Sequence, residues 1–314
     1  MTERPGDHAF TETSLYGSEP EPTYSGALSF MRRKYSRDLA GVDVAVSGVP
    51  FDLATSNRPG ARFGPAGIRK ASAQLAWGKV WPWGFDPFDR LAVIDYGDCH
   101  FDYGYPDRML REVEAHAAKI IETGVSLVTL GGDHLVTLPL LRAHTKAHGP
   151  LSLVHFDAHS DSWRSDRYDH GTMFFHAAED GLIEPKRSVQ IGIRTHNDET
   201  HGFTVLEAPW VHRNGIEATV DEIKRVVGDS KAYLTFDIDC LDPSCAPGTG
   251  TPVVGGLSTW QAQEILHRLI NIDFVGMDIV EVAPLYDVGE ITSLAAATLA
   301  LDYLCVLAAN RRSR

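Results

Sequence analysis

The sequence contains little cysteine and no long apolar run. Only four cysteines occur in 314 residues, Cys99, Cys240, Cys245 and Cys305; they are too few for a disulfide framework and lack zinc-ribbon spacing. No run of about 18 apolar residues, the length that a membrane-spanning helix needs, is present. The first residues also lack the basic and then apolar segments of a secretory signal. We therefore expect a cytoplasmic protein with no membrane partner.

Basic charge is also scarce. The 29 Lys and Arg residues are outnumbered by 42 Asp and Glu residues, which gives a formal net charge of −13. A nucleic-acid-binding protein usually carries a basic stripe, so the charge argues against a nucleic-acid partner. Hydrophobic residues make up 43% of the chain, which is typical of a globular protein and too high for a disordered one.

Short apolar runs alternate with longer amphipathic stretches along most of the chain. Apolar runs of this length are typical of parallel strands that are buried on both faces. Seven strands are predicted, at Val42–Pro50, Leu91–Tyr96, Val125–Leu130, Leu151–Asp157, Ser188–Ile193, Ala232–Asp237 and Phe274–Val282. Six helices are predicted, at Ala66–Leu75, Arg108–Glu122, Val136–His148, Val220–Val227, Thr259–Ile270 and Ile291–Ala309. The alternation predicts an α/β fold with a parallel sheet and helices on both faces.

The polar composition changes after the first 25 residues. Residues 1–25 are polar and include Pro, Glu and Gly, and we expect a flexible N-terminal arm there that could become ordered against a partner subunit. Residues 26–314 contain no linker, repeat or low-complexity tract. They are therefore predicted to form a single domain.

Histidines and carboxylates lie at or just beyond the carboxyl ends of four of the predicted strands. In parallel sheets, ligands bind beyond the carboxyl ends of the strands, which meet at one edge. The residues found there are His134, Asp157, His159, Asp161, Asp237, Asp239 and Glu281. A single Asp or His at a strand end is usually a turn former or a helix cap, but this convergence points to a binding site.

Six of these residues have the chemistry of metal ligands. Asp157, His159 and Asp161 alternate along the chain, which places their side chains on one side of an extended segment. Two imidazoles and four carboxylates suit Mn²⁺, and suit Zn²⁺ or Mg²⁺ less well. Six ligands are too many for one open catalytic ion, so the set predicts two ions that share bridging carboxylates and activate a water molecule.

The motifs that contain these residues resemble those of a known family. GGDH at 131–134, FDAHSD at 156–161 and TFDIDCLDPSCAPGTGTP at 235–252 are similar to the ureohydrolases, which include arginase, agmatinase and their relatives. GARFGPAGIR at 60–69, DHGTMF at 169–174 and VGMDIVEVAP at 275–284 extend the resemblance. Within the family, the segments WGFD, LVTLPLLRAH and QIGIRT look most like those of bacterial agmatinases.

The resemblance implies a fold and a set of metal ligands. The expected fold is the three-layer α/β/α arginase fold, with a parallel sheet of about eight strands. One Mn²⁺ would be bound by His134, Asp157, Asp161 and Asp237. The other would be bound by Asp157, His159, Asp237 and Asp239, so that two aspartates bridge the ions.

The resemblance also implies catalytic roles. His170 corresponds to a proton-shuttling histidine, Glu281 to the carboxylate that binds the guanidinium, and Thr251 to a substrate-contacting threonine. Asp161 would accept the proton of the metal-bridging hydroxide. The implied reaction converts agmatine into putrescine and urea in a homo-oligomer, a trimer or a hexamer.

Two alternatives remain at this point. In the loop after the second motif, Asp166 or Asp169 could face the ammonium of agmatine, whereas Arg164 and Arg167 could meet the carboxylate of guanidinobutyrate or arginine. The chain could instead be a non-catalytic metal-binding homologue. Loss of a ligand or of Glu281 would indicate such a homologue, and none is lost.

Overall fold

The structure, a computed structural model, describes residues 6–312. In this part of the chain, eight parallel strands form one sheet in the order β2-β1-β3-β8-β7-β4-β5-β6. The strands are β1 (Val44–Gly48), β2 (Val93–Asp98), β3 (Ser126–Leu130), β4 (Ser152–Phe156), β5 (Val189–Ile193), β6 (Thr204–Glu207), β7 (Lys231–Asp237) and β8 (Asp273–Val280).

Helices cover both faces of this sheet. They are α1 (His8–Thr11), α2 (Gly64–Ser72), α3 (Met109–Ile121), α4 (Thr137–His148), α5 (Met173–Glu179), α6 (Ala208–Val227), α7 (Thr259–His267) and α8 (Ile291–Arg312). One core packs α2, α6, α7 and α8 against the sheet, and the other packs α3, α4 and α5 against it. The predicted three-layer α/β/α fold is confirmed.

Several elements differ from the sequence-based prediction, among them the short helix α1, which lies in the segment predicted as a flexible arm. Strand β6 was not predicted because it has only four residues, which lie at the sheet edge and are mostly half-buried or exposed. Helix α5 has only seven residues, too few for a clear helical periodicity. Helix α6 begins twelve residues before the predicted start, at Ala208, and Gly215 interrupts it with a φ of 81°.

Helix α8 is long and apolar enough to cross a membrane by length and composition. Most of its apolar stretch is buried, however, because α2 and α7 pack against it in the core on one face of the sheet. A core helix of a globular domain therefore accounts for this apolar stretch.

The segment predicted as an N-terminal arm contacts the rest of the chain. Its first five residues lie outside the described part. The described residues form two buried ion pairs, Glu21 with Arg32 at 3.2 Å and Glu12 with Arg33 at 3.1 Å. The backbone N–H of Gly17 also donates to the carbonyl of Phe88. The flexibility of this arm in isolation and its packing across a subunit interface stay predictions.

A close backbone approach explains the second glycine of the GGDH motif. A Cβ atom on Gly132 would lie 1.7 Å from the carbonyl oxygen of Phe51. The same carbonyl accepts a hydrogen bond from the N–H of Asp133, at 2.7 Å. The absence of a side chain therefore lets the loop before His134 pack against the loop that follows β1.

We expect Gly132→Ala to lower the free energy of unfolding by about 3 kcal/mol or more, because backbone atoms must move to admit the methyl group. Urea denaturation monitored by circular dichroism measures this change. Gly6→Ala is the control, since its nearest atom would be 3.8 Å away. Equal stability of the two variants would contradict the role assigned to Gly132.

Candidate metal centre and active site

The carboxyl ends of four adjacent strands hold the predicted ligands. His134 lies just beyond β3, Asp157 follows β4, Asp237 ends β7 and Glu281 follows β8. These four residues are all buried. Side chains that are far apart along the chain thus lie together at one edge of the sheet, as predicted from the sequence.

His134 Nδ1 lies at the centre of three carboxylates. Its distances to Oδ2 of Asp161, Asp157 and Asp237 are 2.8, 3.1 and 3.3 Å. The Nδ1 atom is buried and has no hydrogen-bond partner among the described residues. A nitrogen lone pair and carboxylate oxygens converging on one buried point form a donor set for a cation.

The other nitrogen of His134 decides which tautomer faces those carboxylates. His134 Nε2 lies 2.8 Å from Thr235 Oγ1, and that hydroxyl donates to Asp278 Oδ1 at 2.6 Å. Because the Thr235 proton is used toward Asp278, Nε2–H must donate to Thr235. In a neutral imidazole, Nδ1 is then unprotonated and free to bind a metal. Through Thr235, Asp278 fixes the tautomer and orientation of His134, as a carboxylate hydrogen-bonded to a metal-binding histidine does.

We expect Thr235→Val to weaken Mn²⁺ binding by about 10–100-fold, since it disconnects His134 from Asp278. Mn²⁺ titration of metal-free protein, followed by calorimetry, measures this affinity. Thr129→Val is the matched control because the Thr129 hydroxyl on β3 is buried without a hydrogen-bond partner. Equal Mn²⁺ affinity of the two variants would show that the Thr235 hydroxyl does not support the site.

A second donor cluster adjoins the first through Asp157. His159 Nδ1 lies 3.2 Å from Asp239 Oδ2 and 3.4 Å from Asp157 Oδ1. Asp157 therefore directs one oxygen toward each histidine. Two groups of side chains are compact enough to hold a metal ion. The first is His134, His155, Asp157 and Asp161, and the second is Asp157, His159 and Asp239.

His155 reaches the same centre through Asp157. Its Nε2 lies 2.7 Å from Asp157 Oδ2, and the amide of Gln190 donates to its Nδ1 at 3.1 Å. This pair of contacts makes Nε2–H the donor to Asp157. Burial lowers the pKa of His155 to about 4, so the ring is neutral. His155 thus orients the carboxylate that the two donor clusters share.

The electrostatics of the cluster favour a bound cation. Burial, together with the charge of Asp157, raises the pKa of Asp161 to about 7. Burial also raises the pKa of Asp237 well above its usual range, with further contributions from Asp239 and Asp157. Carboxylates that resist ionisation side by side become stable anions when a divalent cation lies between them.

Glu281 is held by two donors and keeps one oxygen free. Its Oε1 accepts the backbone N–H of His134 at 3.0 Å and lies 2.9 Å from Nδ1 of His170. Its Oε2 is buried without a partner among the described residues. An unpartnered buried carboxylate oxygen is costly unless a ligand supplies a donor. Glu281 therefore keeps one buried oxygen that has no donor among the described residues.

Backbone strain occurs at two of the predicted site residues. Asp161 has a φ of 48° and Glu281 has a φ of 61°, in the left-handed region that non-glycine residues seldom adopt. Such strain often persists where a side chain must be aimed at a functional centre. Both of these strained residues carry carboxylates at the predicted site.

A cavity of about 650 Å³ opens above the cluster. Its lining includes His159, Asp161, Asp237, His170 and Thr251. Thr251 Oγ1 also donates to Asp239 Oδ2 at 3.2 Å. The volume is in the range of small-molecule sites. The structure thus places a ligand-sized space against five of the residues predicted from the sequence.

The cavity mouth carries charges of both signs. Arg164, Arg167 and Asp169 line it together with Trp163 and Tyr168. Arg164 forms an exposed ion pair with Glu199 at 3.1 Å. Asp166, the other acid proposed for an ammonium, is absent from the residues lining this cavity.

Several residues at the site had no assigned role in the sequence analysis. Arg194 donates to the carbonyls of Asp239 and Val253, at 2.6 and 2.7 Å, and so fixes the loop that follows β7. Ser56 contacts His170 from the loop after β1. Arg194 lies in the QIGIRT segment, and Ser56 lies shortly before GARFGPAGIR. These segments could have drawn attention to the two residues, but neither an arginine nor a serine is specific for a metal-dependent hydrolase.

Comparison with known proteins gives this site a family. The sequence model described as the arginase family matches residues 42–305. The chain belongs to the arginase family. An agmatinase from Chromobacterium violaceum is 58% identical to this arginase-family chain over 96% of its length and 95% of the relative's length. One from Neisseria meningitidis is 54% identical, over 95% of this chain and 99% of the relative.

Solved structures show the same relationship. The crystal structure of a hypothetical agmatinase from Burkholderia thailandensis superposes with a TM-score of 0.97 at 56% identity, covering 98% of this chain and 99% of that one. Proclavaminate amidino hydrolase from Streptomyces clavuligerus gives a TM-score of 0.88 at 38% identity, covering 92% of this chain and all of the other. The predicted ureohydrolase family is confirmed, and this arginase-family protein is a ureohydrolase enzyme.

Proposed function

We propose that this arginase-family enzyme hydrolyses agmatine to putrescine and urea, using two Mn²⁺ ions. The observation that carries the proposal is the unpartnered Glu281 Oε2 beside a cluster of two histidines and four aspartates. The similarity to curated agmatinases at 51–58% identity supports agmatine as the substrate.

The residues present fit two Mn²⁺ ions. The donors are imidazole nitrogens and carboxylate oxygens without thiolates, which favours Mn²⁺ over softer metals. His134, Asp157, Asp161 and Asp237 would hold one ion, and Asp157, His159, Asp237 and Asp239 the other. The bound ions would lower the pKa of a water molecule toward neutrality and so make hydroxide available. The bridging role of Asp237 stays a prediction.

The side chains around the cluster would handle the substrate. Glu281 Oε2 would accept charge-assisted hydrogen bonds from the guanidinium and orient its carbon toward the metal cluster. Asp161 would accept the proton of the attacking hydroxide and pass it toward the leaving nitrogen. Thr251, which already contacts Asp239, would lie beside the bound guanidinium.

His170 would supply protons near the departing amine. Burial alone would lower its pKa, but the hydrogen bond and charge of Glu281, with smaller effects of Asp161 and Asp133, raise the pKa to about 9. These acidic neighbours favour a proton on the ring, so His170 can act as a general acid.

The distal end of the substrate is less constrained. Asp169 lines the cavity and could face the ammonium of agmatine. The second candidate is a guanidino acid such as guanidinobutyrate or arginine, which is favoured by Arg164 and Arg167 in the same lining. The similarity to proclavaminate amidino hydrolase is consistent with that alternative.

Side-by-side urea release tests the substrate. Mn²⁺-loaded protein is offered agmatine, arginine and guanidinobutyrate, and kcat/KM is compared. Agmatine is expected to give the highest value. A preference for either acid would replace agmatine as the substrate, and no urea from any of them would exclude all three compounds as substrates. The cytoplasmic location and the trimeric or hexameric assembly stay predictions.

A further inference from the structure

The loop after β1 contacts the proposed acid-base histidine. His170 Nε2 accepts the backbone N–H of Ser56 at 2.9 Å, and Ser56 Oγ lies 2.7 Å from the same nitrogen. The carbonyl of Ala54 accepts the backbone N–H of His170 at 3.3 Å. Two further contacts anchor the loop, from Ala54 N–H to Asp133 Oδ2 at 2.9 Å and from Asn57 to the carbonyl of Gly250 at 2.9 Å.

These contacts distinguish the two protonation states of His170. In the neutral ring, Nδ1–H donates to Glu281 Oε1, and Nε2 accepts the N–H of Ser56. In the charged ring, Nε2 carries a proton and needs an acceptor. The backbone N–H cannot accept, whereas the Ser56 hydroxyl can. Among the described hydrogen bonds to Nε2, Ser56 Oγ is therefore the group that can serve both states.

The Ser56 hydroxyl also connects the buried His170 ring to solvent. The His170 side chain is only 10% exposed, whereas Ser56 is exposed and lines the cavity. The hydrogen-bonded path from Glu281 through His170 to Ser56 thus runs from the buried interior to solvent. A proton that replenishes His170 can follow it without passing the metal cluster.

We propose that Ser56 is a positioning residue that fixes the His170 ring and links its Nε2 to solvent during turnover. A solvent proton arrives at Ser56 Oγ while the hydroxyl's own proton moves to Nε2, so the hydroxyl is regenerated and the ring gains one proton. The charged ring then gives its Nε2 proton to the departing amine and returns to the neutral state, in which Nδ1–H donates to Glu281. This inference rests on the proposed ureohydrolysis and adds a residue to it.

The charged groups that face His170 set the expected direction of the pH effect. Glu281 contacts the ring directly, and Asp161 and Asp133 act at longer range; all three favour the charged ring. Ser56→Ala leaves these groups in place but removes the acceptor for Nε2–H. The charged ring becomes less favourable, its pKa falls, and the basic limb of the kcat profile moves to lower pH.

The test compares Ser56→Ala and Ser56→Thr, each loaded with Mn²⁺, by agmatine-dependent urea release between pH 6 and pH 10. Complete loss of acid-base catalysis costs about 10²–10⁴-fold. We therefore expect Ser56→Ala to lower kcat by about 10–100-fold, to leave KM nearly unchanged and to shift the basic limb. Ser56→Thr, which keeps the hydroxyl, should retain both the wild-type kcat and the wild-type pH of the basic limb.

Ser25→Ala, at an exposed serine that does not line the cavity, is the control for serine replacement. Thermal unfolding of each variant excludes misfolding. The inference would be overturned if Ser56→Ala had the wild-type kcat and a basic limb at the wild-type pH. A lower kcat with an unmoved limb that threonine does not restore would also overturn it, since this would show a purely structural role. Failure of the wild-type protein to release urea would instead overturn the proposed function.

Discussion

The Asp157→Asn variant is expected to release urea from agmatine at least about 10³-fold more slowly than the wild type. Asp157 directs Oδ2 toward His134 and Oδ1 toward His159, so both donor clusters depend on its carboxylate. An amide keeps the shape but loses the charge and presents one N–H₂ group to a metal. Metal assistance contributes several kcal/mol to transition-state stabilisation, and each 1.36 kcal/mol is a factor of about ten.

Two measurements accompany this prediction. Steady-state urea release gives kcat, and elemental analysis of the purified variant gives the Mn²⁺ content per chain. We expect the metal content to fall with the activity. Asp229→Asn, at an exposed aspartate, controls for removal of one negative charge. A wild-type rate in Asp157→Asn would refute a binuclear site that shares this carboxylate.

The second large effect is expected for Glu281→Gln. The change removes the negative charge that would face the guanidinium, while the amide retains nearly the same volume. It also weakens the acceptor for Nδ1–H of His170 and for the N–H of His134. Losing one partner of a buried charged pair costs about 2–5 kcal/mol. We therefore expect kcat/KM to fall by roughly 10²–10³-fold.

A Mn²⁺ titration separates this effect from loss of the metal site. Glu281 is assigned to substrate, so Glu281→Gln should retain most of its Mn²⁺ affinity, unlike Asp157→Asn. Glu122→Gln, at an exposed glutamate after α3, is the charge-matched control. If Glu281→Gln kept wild-type kcat/KM, the free oxygen of Glu281 would not be the guanidinium site.

The residues of the candidate metal centre could be predicted from the sequence because the carboxyl ends of parallel strands all lie at one edge of the sheet. Once a run such as Leu151–Asp157 is recognised as a buried strand, the polar residues after it must lie at one edge of the sheet. His134, Asp157 and Asp237 are brought together in this way. The chemistry of the side chains then indicates a metal, whereas their individual catalytic roles remain proposals.

Contacts that depend on loop shape could not be predicted in the same way. Ser56 and His170 are 114 positions apart and meet through a loop whose path follows from close packing of Phe51 on Gly132. Thr235 and Asp278 look like ordinary strand residues, and only the register between β7 and β8 places them side by side. No local pattern encodes such a register.

The boundaries of α6 illustrate a different limit. Gly215 lies in the middle of the segment, and a glycine at such a position usually weakens the prediction of a helix. In the structure, packing of Val211 and Ala208 into the core keeps the first half helical up to the interruption at Gly215. Tertiary burial therefore outweighs the local preference of the sequence.

Anomalous diffraction from Mn²⁺-soaked crystals tests the central claim most directly, because it locates each ion independently of activity. We predict two manganese peaks per chain at the carboxyl edge of the sheet. One should lie against His134 and Asp161 and the other against His159 and Asp239, with Asp157 and Asp237 between them. A single peak, or peaks remote from these residues, would contradict the binuclear site on which the proposed hydrolysis of agmatine depends.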